Sequence, residues 1–189
     1  MIRQNEEGSS LLSEVLDKKI AKSYRKKDLR RTLLEIGITA FIVYVLFGVI
    51  LGIAIIQGSS MEPALKEGDI ALFQRMGSNY KKGDVVILHN AVTTDYVKRV
   101  IATEGDTISI DDEDGSVILN GKKVKETYIY AETHVVKGGI EFPLTIPKGS
   151  VFLLGDNREV SNDSREFGLV AKQQIAGRVI FTIRTRKKL

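Results

Sequence analysis

The stretch Ile36–Pro63, IGITAFIVYVLFGVILGIAIIQGSSMEP, divides the chain into two unlike parts. From Ile36 through Met61 it carries no charged residue. The 21 residues from Ile36 to Ile56 would extend about 31 Å as an α-helix, the thickness of a bilayer's hydrocarbon core. A backbone crossing lipid must satisfy its own hydrogen bonds, so the run predicts one transmembrane helix over residues 36–56. The apolar run then breaks at Gly58-Ser59-Ser60-Met61-Glu62-Pro63, a glycine-led bend with two hydroxyls. Any chemistry of Ser59 or Ser60 is therefore expected at the membrane surface.

The apolar run exceeds the roughly 7–15 residues of a cleavable export signal, and it reads as a retained anchor. Residues 1–31 hold nine Lys and Arg against five Asp and Glu, and the other 158 residues are balanced. The whole net charge of +4 thus precedes the span. Lys18, Lys19, Lys22, Arg25, Lys26, Lys27, Arg30 and Arg31 crowd its entrance. By the positive-inside rule, residues 1–35 form a cytoplasmic basic segment and residues 57–189 an extracytoplasmic domain. That domain has no net basic field, which excludes nucleic acid as a partner. Leu11, Leu12, Val15, Leu16 and Ile20 recur at helical spacing before the span, as in a short helix lying near anionic headgroups. Residues 1–8 read as disordered. Gly48-x-x-x-Gly52 matches a small-residue pattern for weak helix self-association, although glycine is common in such helices.

With no cysteine, neither disulfides nor thiolate metal sites are available. After Pro63 short strands alternate with Gly and charged turns: Ile70 to Gln74, Val85 to His89, Tyr96 to Ala102, Phe142 to Ile146, Val151 to Leu154 and Arg178 to Arg184. Val117 to Lys125 centres on Asn120-Gly121, a two-residue hairpin signal. No long amphipathic helix intervenes, and only Lys172 to Ile175 looks helical. The expected fold is mostly β: a single N-terminal transmembrane helix followed by an extracytoplasmic antiparallel β-sheet domain, with 111–148 as a minor lobe or flap. Asp111-Asp112-Glu113-Asp114-Gly115 superficially matches a calcium loop, but that alignment puts Ile110 at the first ligand position. A solvated turn is expected, with no metal and no cofactor.

A serine hydroxyl needs a base, and His89 and His134 lie in no recognisable motif. Lys98, in the strand Tyr96-Val97-Lys98-Arg99-Val100-Ile101, is the candidate partner if burial favours its neutral amine. Lys98 and Arg99 point to opposite faces of that strand. A third polar block runs from Gly155 through Asp156, Asn157, Arg158, Ser161, Asp163 and Arg165 to Gly168. Such a block at a strand exit builds turns and can also orient an amine.

These blocks, in this order behind an anchor, resemble the bacterial type I signal peptidases, over roughly residues 36–184. The resemblance implies that Ser60 is the nucleophile, Lys98 the general base and Ser161 the hydroxyl that orients the lysine. It implies that Asp163–Arg165 and Asp156–Arg99 are supporting ion pairs, and that Gly58, Ser59, Met61 and Pro63 shape the bend and substrate groove. It further implies an apolar surface resting on the membrane and cleavage of secretory preproteins after small residues, in an Ala-x-Ala pattern. Gly58 stands where some members carry a serine of the oxyanion hole, leaving the Ser60 N–H as the main donor. Ala64 and Ala102-Thr103-Glu104 also depart from the common pattern. The competing readings are a self-cleaving serine–lysine regulator, a non-catalytic membrane-anchored β module, and a dedicated enzyme processing or assembling a few surface proteins such as pilins. The anchor in place of a DNA-binding module opposes the first, and intact Ser60, Lys98 and Ser161 oppose the second.

Overall fold

The computed structural model describes residues 27–88, 96–111 and 113–185. The expected strand end at His89 and the amphipathic segment before Lys27 lie outside these residues. The chain forms two compact units, divided at Leu46/Phe47. The described part of the first, from Lys27 on, is helical. Its helix α1, long and apolar enough to cross a membrane, runs Lys27–Ile50, with a π-helical last stretch from Val45 to Ile50.

The helix stops six residues short of the expected boundary at Ile56. Leu51–Ile55 forms strand β1 and pairs antiparallel with β2 (Ile70–Gln74). Apolar composition alone does not separate a helix end from an edge strand, and here the partner strand decides. Gly48 and Gly52 therefore do not share a helix face. Gly52 sits in β1 directly against the Phe73 ring, where a Cβ would come within 2.2 Å.

The second unit is mostly β. Its larger sheet has the order β1-β2-β11-β3-β4-β9-β10, with every pair antiparallel. The further strands are β3 (Val85–Leu88), β4 (Tyr96–Thr103), β9 (Ser150–Leu154), β10 (Val170–Ala171) and β11 (Ile175–Ile183). The smaller sheet, β7-β6-β5-β8, uses Thr107–Ile110 (β5), Val117–Leu119 (β6), Lys122–Lys123 (β7) and Leu144–Thr145 (β8). Asn120 and Gly121 turn β6 into β7 with φ of 52° and 78°, the left-handed pair that this hairpin turn requires. Ile108, Val117 and Ile146, from the excursion of the chain between β4 and β9 that carries the smaller sheet, share a core with Ile101, Phe152 and Leu154 of the large sheet. Sequence reading had missed β1, β5, β10 and the short helix α2 (Ser164–Phe167); Lys172–Gln174 is a 3-10 turn. At the Asp111–Asp114 turn, Lys123 Nζ lies 2.8 Å and 2.6 Å from the two carboxylates and supplies the positive charge.

Cross-strand register leaves one apolar face open. Ile53, Leu72 and Phe181 form one row, and Ile55, Ile70 and Ile183 form the next. Ile53, Ile55, Phe181 and Ile183 are exposed.

Candidate active site

The bend at Ser60 is held by its neighbours. Gly58 takes φ +74°, a left-handed conformation that glycine adopts without a steric cost. Met61 is only 1% exposed and enters a core with Ile56, Leu65, Phe73, Ile87 and Val97. Glu62 N–H donates to the Ser59 carbonyl at 3.1 Å, closing the turn. Pro63 follows within the same turn. The Ser60 N–H has no hydrogen-bond partner among the described residues.

Lys98 comes from the middle of β4, where Val97, Val100 and Ile101 are buried around it. It is 1% exposed, and its Nζ lies 2.9 Å from Ser60 Oγ, the hydrogen bond that a serine–lysine pair needs. Burial pushes its pKa down from 10.5 to about 8; Asp163 and Asp156 oppose the shift and Arg165 adds to it. A large neutral fraction is thus available slightly above neutrality. Arg99, on the other face, makes two hydrogen bonds to Asp156, Nε at 2.8 Å and NH2 at 2.6 Å. Its guanidinium stacks on the Tyr128 ring 4.3 Å away.

The block after β9 closes over the bend. Asn157 N–H donates to the Ser60 carbonyl at 3.0 Å, and its side-chain amide to the Ser59 carbonyl at 3.2 Å. Arg165 grips Asp163 with Nε at 2.9 Å and NH2 at 3.0 Å, while Asp163 also accepts from the Gly155 N–H at 3.1 Å. Asp163 caps α2 through the Arg165 N–H. Ser161 is close by, but its buried Oγ makes no hydrogen bond, to Lys98 or to any other described residue. Ser60, Lys98 and the two ion pairs are brought together; the hydrogen bond from Ser161 to the lysine that the resemblance implies is not formed.

Gly155 sets how close these parts come. A Cβ there would lie 2.2 Å from Ser161 Oγ and 2.5 Å from the Ser60 carbonyl oxygen. Gly155→Ala is expected to push the bend aside, costing about 1–3 kcal/mol of stability and at least roughly tenfold in kcat. Thermal unfolding together with a cleavage assay checks both; a fully active, equally stable variant would contradict this packing.

Sequence reading had missed three contributors. Glu126, Tyr128 and Thr133 lie in the excursion and join Arg158 and Arg99 beneath the loop. Arg158 stood within the polar block, but nothing local marks Glu126 or Tyr128, some thirty residues earlier.

A family model described as "Signal peptidase, peptidase S26" matches residues 29–184. Signal peptidase IB of Staphylococcus aureus strain Mu50 is 34% identical over 173 residues, covering 82% of this chain and 90% of its own length. Signal peptidase I of Bacillus licheniformis is 37% identical over 134 residues, covering 65% of this chain and 71% of its own. A crystal structure of a signal peptidase I from Enterococcus faecalis V583 is 26% identical, covering 55% of this chain and 97% of its own, with a TM-score of 0.44. The extent of the family match and the staphylococcal relatives place the chain in the signal peptidase family, peptidase S26.

Proposed function

We propose that this chain is a membrane-anchored endopeptidase that removes signal peptides from exported preproteins, with Ser60 as nucleophile and Lys98 as general base. The observation that carries the reading is the buried Lys98 amine, 2.9 Å from Ser60 Oγ with its pKa lowered to about 8. Neutral Lys98 accepts the hydroxyl proton as Oγ attacks the scissile carbonyl. The Ser60 N–H, which has no partner among the described residues, is the donor left for the developing oxyanion, the role that Gly58 leaves to the backbone. Collapse of the tetrahedral intermediate breaks the C–N bond, and Lys98 returns its proton to the departing amine. Water, deprotonated by Lys98, then attacks the Ser60 ester; the carboxyl product leaves and the proton passes back to Ser60.

Placement in the membrane is part of the same proposal. Helix α1 spans the bilayer with its basic end in the cytoplasm, so that the β unit is extracytoplasmic. Ser60 follows Ile50 by only ten residues, which tethers it to the same membrane that holds a signal peptide's apolar segment. The open rows around Ile53, Phe181, Ile55 and Ile183 give the β unit an apolar face suited to lipid.

The test is cleavage of a secretory preprotein by the detergent-solubilised full chain. Cutting after an Ala-x-Ala site is expected, with kcat/KM rising with pH through about 8, because only the neutral amine acts as base. A rate that falls over that interval, or no cleavage at all, would overturn the assignment.

A further inference from the structure

We propose that Glu126 and Tyr128 are positioning residues for Ser60, acting as a strap from the small-sheet excursion that holds the catalytic loop at two points. The inference rests on the Ser60–Lys98 reading and extends it to residues with no contact to the dyad. Glu126 and Arg158 form an ion pair in which both side chains are almost wholly buried. Arg158 NH1 donates to Glu126 Oε2 at 3.1 Å, NH2 donates to Oε1, and NH1 also donates to the Thr133 hydroxyl. The same guanidinium donates through Nε to the Gly155 carbonyl at 2.9 Å. Gly155 is the residue packed against the Ser60 carbonyl and Ser161 Oγ. The first hold therefore runs from Glu126 through Arg158 to the peptide that backs the nucleophile.

Tyr128 makes the second hold. Its hydroxyl donates to Glu126 Oε1 at 2.7 Å, and burial together with that carboxylate keeps its pKa well above the usual phenol range. Its ring lies 4.3 Å from the Arg99 guanidinium, which grips Asp156, the neighbour of Gly155. Gly155 and Asp156 are thus fixed from below through Arg158 and Arg99, while Asn157 fixes Ser59 and Ser60 from above. A buried carboxylate shared by a tyrosine and an arginine is costly unless well bonded, and this network gives Glu126 three hydrogen bonds, two of them from the arginine. Loosening it shifts the nucleophile relative to Lys98 by fractions of an ångström, which affects the rate of attack more than binding.

The experiment compares Glu126→Gln, Tyr128→Phe, Ser60→Ala and the unmodified full chain in detergent, on a preprotein bearing an Ala-x-Ala site. Unfolding is followed in parallel. For Glu126→Gln, kcat per mole of folded protein, counted from the parallel unfolding curve, is expected to fall about tenfold with KM unchanged, whereas a purely structural loss lowers only the folded fraction and leaves that kcat as it was. Tyr128→Phe is expected to show the same split at about threefold, and it decides the matter if Glu126→Gln does not fold. Unchanged kcat in the folded variant, or a rise in KM alone, overturns the strap. If Ser60→Ala cuts normally, the dyad reading itself fails, a result distinct from failure of the strap.

Discussion

Lys98→Met is expected to abolish measurable cleavage while making the folded chain more stable at neutral pH. The loss of activity follows from the only amine within hydrogen-bonding distance of Ser60 Oγ among the described residues. Removing the base of a serine nucleophile costs on the order of a thousandfold or more in kcat. The gain in stability follows from burial. Moving the amine from its ordinary value of 10.5 to about 8 corresponds to about 3 kcal/mol against folding when the group is charged. Loss of the bond to Ser60 returns about 1 kcal/mol, leaving roughly 2 kcal/mol net in favour of methionine.

The pH dependence has a definite sign. Below about 8 both folded and unfolded lysine are protonated, so the native chain bears the whole penalty. Between about 8 and 10.5 the unfolded state binds more protons, and native stability rises with pH. The methionine advantage is therefore full at neutral pH and fades as pH climbs through that window. Denaturant midpoints on both sides of it provide the measurement. A Lys98→Met chain that still cuts at the native rate would place the base elsewhere, and one less stable at neutral pH would deny the cost of the buried amine.

The second large effect is expected at the Asp163–Arg165 pair, where two substitutions should move activity in opposite directions along the pH axis. The two side chains are 0% and 4% exposed. Arg165→Met leaves a buried carboxylate without its cation, and loss of about 3–5 kcal/mol is expected. It also breaks the guanidinium's hold on the Arg158 carbonyl at 2.7 Å and on the His134 carbonyl at 3.2 Å. Asp163→Asn keeps an acceptor for the Gly155 N–H but leaves the cation uncompensated. Asp163 raises the Lys98 pKa, whereas Arg165 lowers it. Residual activity of Asp163→Asn is accordingly expected to rise at lower pH than the native chain's, and that of Arg165→Met at higher pH. Profiles of kcat/KM for folded protein at low temperature distinguish these outcomes; coincident midpoints would remove the pair from Lys98 electrostatics.

Legibility differed by the range of the interactions involved. Ser60 and Lys98 became candidates from local patterns, hydroxyls on a bend beside a membrane span and a lysine inside an apolar strand; each pattern also has an ordinary explanation, and it was the resemblance of the ordered blocks that implied their roles. The Asn120–Gly121 hairpin was equally plain, since its two left-handed residues are a local requirement. Leu51–Ile55 was misread as helix because its apolar residues suit either state, and pairing with Ile70–Gln74 made the choice. Ser161 lies beside Gly155, and its buried Oγ makes none of the hydrogen bonds that the resemblance implies for it among the described residues.

What the sequence by itself determined is the apolar span, the charge asymmetry around it, the strand periodicity and the candidacy of Ser60 and Lys98. Each depends on residues within a few positions of one another. Only the tertiary structure decided how far Lys98 is buried, where the span yields to a strand, and which distant residues brace Ser60. Burial depends on neighbours brought in from β3 and β9, and the Glu126–Arg158 contact joins positions 32 apart in the chain. Lowering an amine's pKa is a property of that enclosure, which no local pattern contains.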